Sequence, residues 1–125
     1  MALYATSWEM EVGVDVESIV AAPDLDAVAA RFFSGSEQRM LASLAPERRL
    51  VGFLECWTRK EAYVKGIGEG LTFPIATVDV WTGTEAPVRV ADWWVRRVEL
   101  APGFVAALAV AGDGDRVPNV PRELA

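Results

Sequence analysis

The sequence predicts an α+β fold, with a small antiparallel β-sheet packed against one long helix. Three patterns carry this expectation. Strand-like alternation appears at 8–17, helical periodicity dominates from 25 to about 65, and valine-rich strand patterns return after Pro74. The order of strand, helices and then strands, with no internal repeat, places one helical layer against one sheet.

The elements follow in order. In the stretch WEMEVGVDVE, Met10, Val12, Val14 and Val16 fall on one face, and Glu9, Glu11, Gly13, Asp15 and Glu17 on the other. Pro23 with Asp24 or Asp26 offers a helix start, and 25–33 reads as a short helix. Ser34 with Glu37 fits a capping box for a second helix running to about Leu44. Pro46 suits the first turn of a third helix. There Leu50, Leu54, Trp57, Glu61 and Val64 form one stripe about five turns long, which should be its buried face. Gly66, Gly68 and Gly70 are expected to end that helix. Val78 and Val80 then alternate with polar neighbours as in a strand, and 88–100 reads as a strand region interrupted or bulged around 92–94. The almost wholly apolar stretch 104–110 reads as a central strand, entered through a turn at Pro102 and Gly103. The expected organisation is one domain over 1–112 and a loose tail over 113–125, where Gly, Asp, Pro and Arg accumulate.

Composition narrows the function. A chain of 125 residues with 52% apolar side chains can build a core without metal or disulfide staples. A net charge of −6, from 12 basic and 18 acidic residues, argues against sequence-independent nucleic-acid binding. The absence of histidine excludes Ser-His-Asp and Cys-His catalysis within one chain, and imidazole-based zinc sites. The single cysteine, Cys56, is expected to serve packing and fits a reducing compartment. The first residues lack a signal-peptide pattern, and the longest apolar run, 104–111, is too short to span a membrane. A cytoplasmic protein with no nucleic-acid or membrane partner is the expectation.

The residues able to do chemistry are few. Asp15 and Glu17 leave the same face of a strand, an arrangement that a solvated strand face also shows. Glu61 lies on the stripe that should be buried, where a carboxylate is costly unless paired or bound to a metal. An ion pair with Lys65, one helical turn on, is the simpler reading. Ten of the twelve basic residues are arginine, yet both lysines, Lys60 and Lys65, flank Glu61. Three carboxylates and two lysines together suggest Mg²⁺-assisted chemistry on a phosphate or pyrophosphate, because hard cations take carboxylate oxygens and leave positions for phosphate.

The segments Gly13-Val14-Asp15-Val16-Glu17, Arg31-Phe32-Phe33-Ser34 with Glu37, Trp57-Thr58-Arg59-Lys60-Glu61-Ala62-Tyr63-Val64-Lys65 and Gly68-Glu69-Gly70-Leu71 resemble the 4′-phosphopantetheinyl transferase superfamily. Their order and spacing are similar to the C-terminal half of the longer, surfactin-synthetase-activating type, over about 3–110. The resemblance implies a phosphopantetheinyl transferase-like α+β fold. It also implies Mg²⁺-dependent transfer of the 4′-phosphopantetheine arm of coenzyme A to a serine of an acyl or peptidyl carrier protein, releasing 3′,5′-ADP. It places Asp15, Glu17 and Glu61 at the positions of the metal ligands. It gives Lys65 to the pyrophosphate, with Lys60 as the basic residue beside it in the cofactor site. Glu61 and Lys65 are then the catalytic pair, with Glu61 a candidate acceptor of the serine proton.

The long members carry a preceding half and a histidine motif that this sequence lacks. The holo-acyl-carrier-protein synthases are about this short and assemble from several copies. A homodimer or homotrimer is therefore expected. Arg31, Arg39, Arg48 and Arg49 are either solvated charge or a surface for an acidic carrier protein. Two further readings stand beside the enzyme. One is a non-catalytic half-domain that binds carrier protein or coenzyme A, or completes another chain; the other is a metal-dependent phosphohydrolase on a different fold.

Overall fold

The computed structural model describes residues 11–21 and 24–112. The expected strand start at 8–10, the helix-start residue Pro23 and the tail 113–125 lie outside them. Within the described residues the fold is the expected one. The chain forms β1 (Val12–Ser18), α1 (Leu25–Phe32), α2 (Gly35–Ser43), α3 (Arg49–Ile67), β2 (Val88–Val90), β3 (Trp93–Val98) and β4 (Phe104–Ala111). Short 3₁₀ turns at Pro46–Arg48, Gly70–Thr72 and Ile75–Thr77 link the helical half. The sheet is antiparallel with order β1-β4-β3-β2.

The apolar stretch around 104–110 is central, as its composition predicts: β4 pairs with β1 on one side and β3 on the other. Helix α3 lies on the face formed by Val95, Val105, Ala107 and Ala109, which pack with Phe53, Cys56, Ala62 and Tyr63. The opposite face holds a separate apolar cluster of Val98, Ala106, Leu108 and Val110, with Val12, Val14 and Val16 against it. The valines of β1 therefore serve this second cluster. Gly13, Asp15 and Glu17, on the nominally polar face, turn toward the helix. Opposite Asp15 and Gly13 stand Ala107 and Ala109, small side chains beneath the helix.

The capping box forms as predicted: the Ser34 hydroxyl accepts from the Glu37 amide at 3.2 Å, and the Glu37 carboxylate accepts from the Ser34 amide at 2.9 Å. Four expectations change. First, α3 is buried on most of its circumference rather than on one stripe. Phe53, Cys56, Thr58, Arg59, Lys60 and Tyr63 are buried, whereas Trp57, Glu61 and Val64 on the predicted stripe are only half-buried. The helix touches the sheet on one side and the 75–86 segment on another. Second, Gly66 does not end the helix, which runs to Ile67. Gly68, with φ of 74°, provides the left-handed C-cap.

Third, Val78 and Val80 are not in a strand. Side chains take three of their four backbone groups, and the Val78 amide donates to the Ile75 carbonyl. Lys60 donates to the Val78 carbonyl, Arg59 donates to the Val80 carbonyl, and the Val80 amide donates to Glu37. Fourth, the interruption expected in 88–100 is a chain reversal. Ala91, with φ of 52°, and Asp92 turn β2 back along β3, so that Val90 pairs with Trp93.

Candidate active site

Close approach of a strand to a helix builds the site. A Cβ placed on Gly13 would lie 2.1 Å from the carbonyl oxygen of Ala62 and 2.4 Å from the amide nitrogen of Gly66. Only glycine lets β1 run this near α3. A Cβ on Gly66 would in turn lie 2.6 Å from the Trp93 ring. The Gly13–Gly66 crossing thus fixes the height of the next inward residue of β1, Asp15, over the C-terminal half of the helix. Its partner there is Lys65, whose Nζ lies 2.6 Å from Asp15 Oδ1. The glycine of the Gly-x-Asp-x-Glu motif is therefore a positioning residue, a role its sequence context alone does not reveal.

Asp15, Glu17, Glu61 and Lys65 form one electrostatic unit. Burial is the largest cause of a raised pKa for all three carboxyls. For Asp15, the hydrogen bond and charge of Lys65 oppose it. For Glu17, the charge of Asp15 adds to the rise, while Lys65 and a hydrogen bond from Trp57 lower it. For Glu61, both Asp15 and Glu17 add to the rise and Lys65 opposes it. Glu61 bears the charge of Asp15 and Glu17, Glu17 bears that of Asp15, and one lysine relieves all three, which makes a site of surplus negative charge.

The structure thus brings Asp15, Glu17, Glu61 and Lys65 together as neighbours. Among the described residues no three acidic or cysteine side chains are drawn into a ready-made ion cage, and the positive charge touching Asp15 is that of Lys65. The donor set nevertheless suits a hard divalent cation. It offers only carboxylate oxygens, and Asp15 Oδ2 is buried with no hydrogen-bond partner among the described residues.

Lys60 goes elsewhere. It projects from another side of α3 and is fully buried, with its ammonium 2.6 Å from Glu37 Oε1. It also donates to the carbonyls of Ile75 at 2.8 Å and Val78 at 2.7 Å. All three of its N–H groups are committed. The expectation that Lys60 binds a cofactor directly is corrected to a structural one: it pins the segment that walls the neighbouring pocket.

That pocket, of about 610 Å³, opens beside Glu61 and Lys65. Phe32, Trp57, Phe73 and Ile75 supply apolar wall, and Arg31 stands with its guanidinium 5.1 Å from the centre of the Phe32 ring. Phe32 meets Trp57 edge-on at 5.6 Å, and Trp57 stacks over Phe53 at 6.2 Å, which holds the Trp57 indole beside Glu17 and Glu61. Of the four arginines weighed as a carrier surface, Arg31, Arg39 and Arg48 are exposed, while Arg49 is paired with Asp26 at 2.6 Å. Trp81 and Trp93 are buried in the core, and Trp94 is half-buried with the Arg89 guanidinium 5.6 Å from the centre of its ring. Cys56 is buried, and burial with the nearby Glu37 charge pushes its thiol well above the usual range. No helix among the described residues is long and apolar enough to cross a membrane.

A profile of the 4′-phosphopantetheinyl transferase superfamily matches residues 11–109, the stretch that contains every residue of the acidic unit. The 4′-phosphopantetheinyl transferase HetI of Nostoc sp. is 38% identical over 117 residues, covering 91% of this chain and 49% of that protein. The 4′-phosphopantetheinyl transferase Sfp of Bacillus subtilis is 26% identical over 106 residues, covering 80% of this chain and 46% of Sfp. The chain therefore spans about half the length of these curated relatives. In fold it is similar to the holo-[acyl-carrier-protein] synthase of Thermotoga maritima, with a TM-score of 0.56, 21% identity, and coverage of 83% of this chain and 64% of that one. The profile match over 11–109 shows that the chain belongs to the 4′-phosphopantetheinyl transferase superfamily.

Proposed function

We propose that the chain transfers the 4′-phosphopantetheine arm of coenzyme A to a serine of an acyl or peptidyl carrier protein, in a Mg²⁺-dependent reaction. The observation that carries this reading is the meeting of Asp15, Glu17, Glu61 and Lys65, of which Glu61 and Lys65 line a pocket that Phe32, Trp57, Phe73 and Ile75 also wall. A pyrophosphate needs positive charge, which Lys65 and a divalent ion on the carboxylates would supply, and a pantetheine arm needs an extended, largely apolar wall. In the transfer, the serine oxygen forms a bond to the β-phosphorus, and the bond from that phosphorus to the leaving 3′,5′-ADP breaks. The serine proton passes to a carboxylate. Glu61 suits that role because it lines the pocket beside Lys65. Lys65 neutralises charge that develops on the leaving phosphate. Asp15, Glu17 and Glu61 would hold the metal, and Mg²⁺, when bound, supplies charge neutralisation at the pyrophosphate.

Among the described residues, the cationic groups lining this pocket are Lys65 and Arg31. Coenzyme A carries a 3′-phosphate besides its pyrophosphate, so we assign the remaining phosphate and adenine contacts to a second copy in a homodimer or homotrimer. Incubation with coenzyme A, Mg²⁺ and an apo carrier protein, followed by intact mass, tests the activity. The expected result is one phosphopantetheine added per carrier, and an unmodified carrier under all conditions refutes it. Light scattering with and without coenzyme A tests the assembly; a monomer that completes the transfer refutes that part alone.

A further inference from the structure

We propose that Lys65 is the resident counter-cation of Asp15, and that a divalent cation exchanges with it, releasing the ammonium into the pocket to meet the phosphate. The inference rests on the metal reading above, and three observations support it. The Asp15 side chain is more than nine-tenths buried, yet among the described residues only Oδ1 has a partner, the Lys65 ammonium at 2.6 Å; Oδ2 has none. This carboxylate is thus half-satisfied by a single charge, and a doubly charged ion with several ligand positions satisfies it better. Second, the Lys65 side chain is 52% exposed, so it loses little hydration in either position. Its flexible four-carbon stem allows the shift without backbone movement. Third, Lys65 already lines the pocket beside Glu61, so leaving Asp15 carries the ammonium toward a phosphate and not into bulk water.

A divalent ion on Oδ2 would stand beside the ammonium held on Oδ1, and the repulsion between them couples arrival of the metal to departure of the lysine. The other lysine shows what a fixed ammonium looks like. Lys60 is fully buried with three partners and has nowhere to go.

Because the chain has only these two lysines, the exchange can be read chemically. The full chain is treated with an amine-acylating reagent under limiting conditions, and modification of Lys65 is followed by peptide mass, with buried Lys60 as internal control. Mg²⁺ binding is measured in parallel by calorimetry, alone and with coenzyme A. Mg²⁺ should raise the acylation rate of Lys65 about fivefold, the equilibrium worth of a partly exposed ion pair. Inorganic pyrophosphate added with Mg²⁺ should lower it again. The variant Lys65→Met, which is free of the competing charge, should bind Mg²⁺ about fivefold more tightly. Mg²⁺ binding with unchanged Lys65 acylation overturns the exchange and leaves the metal site standing. Absence of Mg²⁺ binding both alone and with coenzyme A overturns the exchange and the metal assignment together.

Discussion

Replacing Lys60 by methionine separates a structural lysine from a ligand-binding one. Methionine matches the length and apolar stem of lysine and removes the ammonium. In the folded protein this leaves the Glu37 carboxylate buried with its cation gone, and takes the side-chain donor from the carbonyls of Ile75 and Val78. Glu37 would keep the amides of Ser34 and Val80 as donors, at 2.9 and 2.7 Å. Breaking a buried pair by removing one partner costs about 3–5 kcal/mol. For a domain of this size that corresponds to a drop in Tm of about 10–20 °C. The double variant Lys60→Met with Glu37→Gln removes both charges and should recover a large part of the loss, since a neutral amide is far less costly to bury than a lone carboxylate. Urea unfolding followed by tryptophan fluorescence reads both values. If Lys60→Met unfolds at the same urea concentration as the parent while coenzyme A affinity falls, then Lys60 acts on the ligand and the argument from its burial fails.

Three other outcomes follow from the geometry. Glu61→Gln keeps size and packing, so it should abolish transfer to the carrier protein while changing Tm by no more than about 2 °C; wild-type turnover in that variant refutes the role of the carboxylate. Gly13→Ala places a methyl group 2.1 Å from the Ala62 carbonyl, so strand and helix must separate. Overpacking of this kind costs about 1–3 kcal/mol, and Mg²⁺ affinity should fall with it; a variant as stable and as tight as the parent shows that the crossing is softer than described. Asp15, Glu17 and Glu61 all have carboxyl pKa values raised from ordinary values of 3.8, 4.5 and 4.5. The folded state therefore holds these protons more tightly than the unfolded chain does. Their contribution is fully present below the ordinary values and is lost as pH rises through the elevated ones. Tm measured without metal should fall across that acidic range, and the triple variant with Asn and Gln at these positions should lose that part of the slope; an unchanged slope refutes the assignment.

Much of this architecture was legible in the sequence because its signals are local. Ser34 and Glu37 are three residues apart and form their box as read. The apolar composition around 104–110 demanded a strand covered on both faces, and β4 has apolar clusters on both. The acidic unit was legible for a different reason. Its members sit in two short motifs that resemble those of a known superfamily, and the fold brings those motifs together. What failed depended on long-range partners. Nothing between Thr77 and Trp81 reveals that its backbone will be satisfied by Arg59, Lys60 and Glu37, so valine alternation there imitated a strand. Lys60 and Lys65 look equivalent in sequence, being five residues apart on one helix. A separation of five residues turns them by about 140° around the axis, and that rotation sends one into the interior and the other to the pocket. Gly66 looked like a terminator because glycine commonly ends helices; its true constraint is the Trp93 ring, 27 residues away.

The side-chain anchoring of the 75–86 segment has a consequence for how the protein opens. A loop tied only to its own neighbours can detach while the rest of the molecule stays intact. This one is fastened through Lys60 and Arg59, which leave from the middle of α3, and Arg59 alone reaches the carbonyls of Val80, Glu85 and Ala86. Lifting the loop would strand two buried cations, so its opening is tied to loss of the helix itself. The Val80 amide, bonded to Glu37, should therefore exchange its hydrogen for deuterium nearly as slowly as the central amides of β4, though it belongs to no regular element. The wall of the pocket thus shares the lifetime of the core, and a ligand in it faces a surface that does not breathe independently of the fold.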